Sequence, residues 1–313
     1  MSIIMLNPSY KDYLWGGQNL IHQFNKEFSG DILAESWEVS CHPDGPSFVA
    51  TGECAGMTLR EYIEHHGNSI LGTHCEKFDD FPILIKFIDA KGVLSIQVHP
   101  DNEYALKNEN QYGKTEVWYV VDCEPGAFLY YGFSKEISKE EFKQRIENNT
   151  LLEVLGKFPV QKGEIYFIEA GTIHAIGENI TIAEIQQNSN VTYRVYDFGR
   201  VGVDGKPREL HIDRAIDVTS RTPLFKSKTA TPHLAKCDYF TVDKLFLDGT
   251  SMKKIVGSTD ETSFASILIL EGSGTLSSNG ETIDFKKGDS LFVTANHGEY
   301  QLEGNFEGLL TRI

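Results

Sequence analysis

The sequence predicts a mainly β chain folded as two barrels with helical insertions, and three observations carry that reading. Most of the chain is made of short runs rich in β-branched and aromatic residues, punctuated by Gly and Pro. A glycine turn leading into a buried strand occurs twice, far apart in the chain. At 313 residues, the chain also exceeds what one hydrophobic core organises comfortably, so two units are expected.

The strands are expected at Pro82 to Ile88, Val93 to Val98, Glu116 to Val121, Ile165 to Ile168, Ile180 to Gln186 and Val191 to Asp197. Helical patterning is confined to Thr58 to Ile70 and to Lys139 to Leu155, where Ser138 and Glu141 form a capping box before Phe142, Ile146 and Leu151. These segments read as insertions, near 58–71 and 138–156, around a β core. Many short strands with turn signals between them favour a sandwich or barrel over a parallel sheet.

The repeated element is Lys162-Gly163-Glu164-Ile165-Tyr166-Phe167-Ile168-Glu169-Ala170 against Lys287-Gly288-Asp289-Ser290-Leu291-Phe292-Val293-Thr294-Ala295. Each copy follows a strand that ends at glycines: Glu116 to Val121 before Pro125-Gly126, and Phe264 to Leu270 before Gly272-Ser273-Gly274. Two related barrel units follow from this echo. The stretch Val218 to His233, rich in Thr, Ser, Lys and Pro, is the expected junction. The chain then divides into residues 1–222 and 223–313.

The net charge of −16, from 29 basic and 45 acidic residues, argues against a nucleic-acid or anionic membrane surface, which needs a positive footprint. A small molecule is the expected partner. If that molecule is anionic, the site must supply its own lysines and arginines against the global field. Cys41, Cys54, Cys75, Cys123 and Cys237 are scattered and form no Cys-x-x-Cys pair, as expected of free thiols in a reducing, cytoplasmic setting. Met1 to Gly17 lacks the basic start and small-residue cleavage site of a secretory signal. The most apolar stretch, Phe81 to Ala90, contains Lys86 and is far shorter than the roughly 20 residues a membrane helix needs.

Ser95, Gln97 and His99 alternate with Ile96 and Val98, so the three polar side chains share one face of a strand. A buried face of that kind is costly unless its groups are paired or bind a metal. Glu116 opens a later strand and His174 follows Glu169-Ala170-Gly171-Thr172-Ile173. Gln97, His99, Glu116 and His174 together offer nitrogen and oxygen ligands suited to Zn²⁺ with room for water or substrate. Either histidine alone is more often an ordinary hydrogen-bonded residue. The combined spacing is what speaks for a site. Gly163, five residues, Glu169-Ala170-Gly171, two residues and His174 resemble the second motif of the cupin family, with Glu169 where proline is usual. Gln97-x-His99 followed by Glu116, delayed by the inserted loop Pro100 to Lys114, resembles the first. The fold expected is therefore two cupin, or jelly-roll, barrels with the metal in the first. The second unit offers only His297 at the corresponding strand end and reads as a metal-free support.

Those departures are similar to what type I phosphomannose isomerases show. The segments Phe81 to Ala90, Leu94 to Asp101 and Gly113-Lys114-Thr115-Glu116 resemble the family signature, as do Trp15-Gly16-Gly17, Glu35 to Ser40 and Gln186 to Asp197. The resemblance spans nearly the whole chain and fits the short bacterial form. It implies that Gln97, His99, Glu116 and His174 hold one Zn²⁺ per chain, that Arg194 is the catalytic arginine, and that Glu184, Lys114, Lys86 and Ser95 lie at the active site. Longer members continue differently after the arginine. Here the chain reads Val195-Tyr196-Asp197-Phe198-Gly199-Arg200, which leaves the phosphate partners on that side open.

The implied reaction exchanges mannose 6-phosphate and fructose 6-phosphate and needs a base and a stabiliser for the enediolate. Glu184 is the candidate proton carrier, with simple pairing to a cation as the alternative. Arg194 and Lys114 would stabilise developing charge, and Lys86 and Arg200 would help to hold the phosphate. Lys86→Ala is then expected to raise KM more than it lowers kcat. A metal-dependent dioxygenase, revealed by oxygen uptake of the iron-loaded protein, and a sugar-binding bicupin without catalysis are the competing readings. The protein is expected to be a monomer or homodimer.

Overall fold

The computed structural model describes residues 2–202, 205–224 and 232–313. Among these residues the strands form three antiparallel sheets. One six-stranded sheet runs in the order Ile165–Ile168, Glu116–Cys123, Ile180–Gln187, Ile83–Ala90, Glu35–Val39 and Ser9–Lys11. A five-stranded sheet runs Tyr193–Tyr196, Ile96–Val98, His174–Ile176, Phe128–Phe133 and Leu155–Pro159. These two sheets make the first unit, and the six strands expected between Pro82 and Asp197 fall within them with small changes at the ends.

Alternation decides which face each strand turns inward. Ile96 and Val98 pack in one apolar cluster with Phe142, Ile146, Ala215 and Ile216, so the helices Lys139–Glu147 and Ile212–Val218 cover the outer face of the five-stranded sheet. Gln97 is thereby directed to the opposite, inner face. The Ile83–Ala90 and Ile180–Gln187 strands are buried along their whole length, covered on both sides.

A third, nine-stranded sheet makes the second unit, with Ala265–Ser278 and Gly298–Arg312 as its long central pair. The register of that pair shifts between Ile269 and Glu271, the mark of a bulge that bends a sheet. Ile267, Ile269, Leu276, Leu291, Phe285 and Phe306 fill its interior. Glycine recurs at the head of the repeated strand for a physical reason. Gly163 and Gly288 both have positive φ, 87° and 94°, and a Cβ at Gly288 would lie 2.4 Å from the Phe24 carbonyl oxygen.

The sheets do not divide in simple chain order. Ile3–Asn7 pairs with Ser290–Val293, Ile3 opposite Val293, and Phe48–Val49 adds to its other edge, so the first strand of the chain belongs to the C-terminal sheet. A boundary near residue 222 leaves these two strands with the wrong unit, because strand pairing is non-local and a short apolar run does not declare its partner. The expected junction lies partly outside the described residues, since 225–231 are among those not described. The two units share a core in which Phe81 stacks on Phe264 and Phe264 on Phe292, at centroid distances of 5.6 and 4.8 Å. A buried Lys26 adds a polar tie, paired with Glu38 at 2.6 Å and donating to the Gly288 carbonyl at 2.6 Å.

The helices are shorter or more numerous than the sequence suggests. Leu59–His66 begins at a full capping box between Thr58 and Glu61. Lys139–Glu147 begins at Ser138, whose hydroxyl accepts from the Glu141 N–H, but the expected box lacks its other half because the Glu141 carboxylate pairs with Lys135 and Arg145; the helix stops before Asn148-Asn149, with Asn149 at φ 56°. Residues 151–154 form a 3₁₀ turn and Leu155 enters a strand instead of ending the helix. The inserted loop between His99 and Glu116 contains the helix Asn102–Glu109, capped by Asp101 and ended by Asn110 at φ 55°.

Candidate metal centre and cavity

Strand register gathers the polar residues. On the five-stranded sheet, Gln97 stands opposite His174 on one side and Arg194 on the other. On the facing sheet, Glu184 stands opposite Lys86 on one side and Trp118 on the other, with Glu116 opposite Gln186 in the same pair of strands. Cross-strand partners point to the same face. Two polar rows from separate sheets therefore meet in one interior.

At their deepest point His99, Glu116 and His174 are 1%, 0% and 0% exposed. His174 Nε2 lies 3.3 Å from Glu116 Oε1, and His99 Nε2 lies 3.7 Å from Oε2. His99 Nδ1 is 2.8 Å from the Val191 carbonyl and His174 Nδ1 is 2.8 Å from the Thr172 carbonyl. A carbonyl only accepts, so each Nδ1 carries the proton and each Nε2 presents a lone pair toward Glu116. The Gln97 amide faces His174 Nε2 at 3.5 Å, and its oxygen and nitrogen are interchangeable by a flip.

The electrostatics of this cluster suit a cation. Burial, reinforced by the nearby Lys114 charge, holds His99 well below its usual value, and burial lowers His174 to about 4. Both imidazoles are then neutral at physiological pH, the form that ligates metal. Burial and the neighbouring Glu184 charge push the Glu116 carboxyl well up, against the pull of Lys114. His99 Nε2 and both Glu116 oxygens are buried without a hydrogen-bond partner; Lys114 Nζ, 2.9 Å from Oε2, is a close charge without donor alignment. Buried polar atoms left unpaired are costly, and a divalent ion would satisfy all of them together. The residues present therefore fit the metal.

Above this cluster opens a cavity of about 390 Å³, lined by Lys86, Ser95, Gln97, Lys114, Glu184 and Arg194 among others. Glu184 is buried, with Lys86 Nζ at 3.1 Å, Lys114 Nζ at 3.4 Å and the Trp118 indole N–H at 3.4 Å. Burial alone would raise its carboxyl; Lys114 and Lys86 outweigh that and hold it well below the usual range. Lys86 also meets Glu35 at 3.4 Å. Burial opposes its charge, yet Glu184 and Glu35 keep its pKa above normal. Arg194 donates through Nε to Ser95 Oγ at 3.3 Å and through Nη1 to the Glu209 carbonyl at 3.0 Å. Ser95 thus orients the arginine.

Of the residues singled out from sequence, nine come together here. Arg200 does not line the cavity: its Nη2 meets Asp197 at 2.6 Å and its Nη1 donates to the Val93 carbonyl. Arg208 takes the place expected of Arg200, lining the cavity while its Nε donates to Asp197 Oδ2 at 2.8 Å. It lies past the segment matched by sequence and carried no local signal. Glu35, Tyr13 and His211 also line the cavity unforeseen. In sequence Glu35 is one residue of a segment that resembles the family signature, and its role appears once strand pairing sets Trp37 opposite Lys86.

The chain is similar to known proteins along nearly its whole length. Residues 3–119 match the family model for the phosphomannose isomerase type I catalytic domain, and residues 229–312 match that for the mannose-6-phosphate isomerase cupin domain. The chain is 36% identical to mannose-6-phosphate isomerase ManA of Bacillus subtilis over 99% of this chain and 98% of that protein. It is 37% identical to mannose-6-phosphate isomerase of Streptococcus mutans over 97% of this chain and 96% of the relative. The crystal structure of mannose 6-phosphate isomerase from Bacillus subtilis superposes with a TM-score of 0.91 at 32% identity, covering 100% of both chains. A putative mannosephosphate isomerase from Archaeoglobus fulgidus shares the fold, with a TM-score of 0.80 at 22% identity over 99% of this chain and 97% of the other.

Proposed function

This chain belongs to the type I phosphomannose isomerase family, and from that premise we propose that it interconverts mannose 6-phosphate and fructose 6-phosphate by zinc-assisted proton transfer between C1 and C2. The observation that carries the reading is the buried cluster of His99, Glu116 and His174, in which His99 Nε2 and both Glu116 oxygens lack a hydrogen-bond partner, at the foot of a cavity walled by Lys86, Lys114 and Arg194.

Gln97, His99, Glu116 and His174 would hold one zinc ion per chain, which when bound supplies Lewis-acid polarisation of the sugar oxygens at C1 and C2. Glu184 is the proton carrier. Lys86 and Lys114 keep its carboxylate ionised, the form that accepts a proton, at some expense of basicity. It takes the proton from C2 of the aldose and delivers it to C1 of the enediolate, while the hydroxyl proton on O2 passes to O1 to complete the ketose. Lys114 and Arg194 set fixed positive charge beside the oxygens on which negative charge develops. Ser95 and the Glu209 carbonyl hold Arg194 in that position. The phosphate is met by cations of the cavity, which answers the repulsion expected from a net charge of −16. For this half of the site we favour Arg208 over Arg200.

None of the helices described is long and apolar enough to cross a membrane, and all five cysteines are free thiols, in keeping with a cytoplasmic enzyme acting on a small molecule. Incubating the zinc-loaded protein with mannose 6-phosphate, with and without a chelator, tests the reading. Fructose 6-phosphate is expected only where the metal is retained. Turnover that survives complete chelation would remove the metal from the reaction, and no turnover in either arm would overturn the assignment.

A further inference from the structure

We propose that Cys54, His65 and His66 form a second metal site, distinct from the cavity, for a borderline-soft divalent ion such as zinc. Sγ of Cys54 and one ring nitrogen of each histidine all lie within 4.8 Å of one another. Cys54 Sγ is 3.7 Å from His66 Nε2. A tetrahedral ion with sulfur at about 2.3 Å and nitrogen at about 2.0–2.1 Å sets those two atoms roughly 3.6 Å apart, so this edge already has the required length. The His65 and His66 rings sit edge to face at 4.9 Å, close enough to contribute to one coordination sphere.

The backbone holds these groups in place. Cys54 stands in a tight turn after Phe48–Val49, with Gly52 and Gly56 at φ 75° and 94° and the Gly56 N–H bonded to the Val49 carbonyl at 2.8 Å. Both histidines end the helix Leu59–His66, whose start is fixed by the Thr58–Glu61 capping box and whose last turn is closed by the Gly67 N–H on the Ile63 carbonyl. The His66 ring rests on that of Tyr62, itself 2% exposed, with centroids 4.5 Å apart. A helix C-terminus favours positive charge, so the ion would gain from the helix dipole as well. One thiolate and two imidazoles, with no carboxylate, select zinc, cobalt or nickel over magnesium and calcium. The fourth position is left for water. None of the three residues lines the cavity, so the ion would clasp the turn to the helix and leave catalysis alone.

The two sites differ in one chemical respect that allows a decisive test: Gln97, His99, Glu116 and His174 contain no sulfur. Untagged, reduced protein titrated with Co²⁺ is expected to bind two equivalents, one of which brings a near-ultraviolet sulfur-to-cobalt charge-transfer band. Cys54→Ser should lose the band and one equivalent, His66→Ala should weaken both, and each variant should keep isomerase turnover within about twofold. Cys123→Ser and Cys237→Ser should retain the band. A wild-type titration that ends at one equivalent without the band, a band that survives Cys54→Ser, or one that appears only above millimolar cobalt would overturn the site. Because the band is read independently of turnover, the test stands whether or not the chain isomerises mannose 6-phosphate.

Discussion

Glu184 stands directly opposite Lys86 on adjoining strands, and their charged ends meet at 3.1 Å inside the cavity wall. Lys86 is also shared with Glu35 at 3.4 Å. That arrangement changes the outcome expected of Lys86→Ala. Removing the ammonium leaves Glu35 without this cation and Glu184 with Lys114 alone, and breaking a buried pair in this way costs about 3–5 kcal/mol. We expect the denaturant midpoint to fall accordingly and kcat to fall as well as KM to rise, because Glu184 loses one of the two charges that keep it ionised. Wild-type stability in Lys86→Ala, measured by urea unfolding, would show that the pair contributes nothing.

The metal centre makes a separate prediction. His99→Ala and Glu116→Gln each delete a ligand from a cluster in which His99 Nε2 and both Glu116 oxygens have no hydrogen-bond partner. Loss of an outer hydrogen bond to a ligand typically costs about 10–100-fold in affinity or activity, and deletion of the ligand itself should exceed that. Elemental analysis of these variants made in the Cys54→Ser background, which removes the second site, should find less than a tenth of the zinc held by Cys54→Ser alone, with turnover reduced by more than about 100-fold. A variant that keeps full zinc would place the ion elsewhere.

Asp197 yields a pH dependence. Burial would raise its carboxyl, but hydrogen bonds from Arg208 and Arg200 prevail and hold it below the ordinary value of 3.8. A depressed folded pKa contributes stability that is complete above the unfolded value and is lost as pH falls through the folded one. The difference in unfolding free energy between the wild type and Asp197→Asn should therefore be the same near pH 7 and pH 5, on the order of 1–3 kcal/mol for hydrogen bonds to charged groups, and shrink toward pH 3. A difference that grows as the pH falls would contradict the arrangement.

Whether a feature is legible in the sequence depends on whether a local or a long-range interaction sets it. Alternation along Ser95 to His99 is local, so the inward face of that strand could be read directly, and the spacing from Gly163 to His174 brought the second histidine with it. Pairing partners are not local. Nothing in Ile3 to Asn7 says that it borders Ser290–Val293, and nothing in Glu35 says that it will meet Lys86 from the neighbouring strand. The helix Asn102–Glu109 does not stand out from loop in the sequence because its hydrophobic face is weak and only Ala105 is buried. Cys54, His65 and His66 form no motif in the sequence, because Cys54 and His66 are twelve positions apart and only the turn brings them together.

The arginines at the cavity mouth give the last prediction. Asp197 receives Arg208 and Arg200 on one carboxylate, but only Arg208 lines the cavity, together with Arg194. Arg200 spends its other donor on the Val93 carbonyl. A guanidinium braced by a carboxylate is pre-organised for a phosphate, and a charge-assisted hydrogen bond is worth about 1.5–3 kcal/mol. Arg208→Ala is thus expected to raise KM for mannose 6-phosphate by roughly 10- to 150-fold while kcat changes only a few-fold. Inorganic phosphate should inhibit this variant more weakly in the same proportion. Arg200→Ala should move KM far less, since its loss unbraces Arg208 without removing a cation from the cavity. Steady-state kinetics on both variants decides the matter: a larger KM effect at Arg200 would return the phosphate to the residue first expected from the sequence.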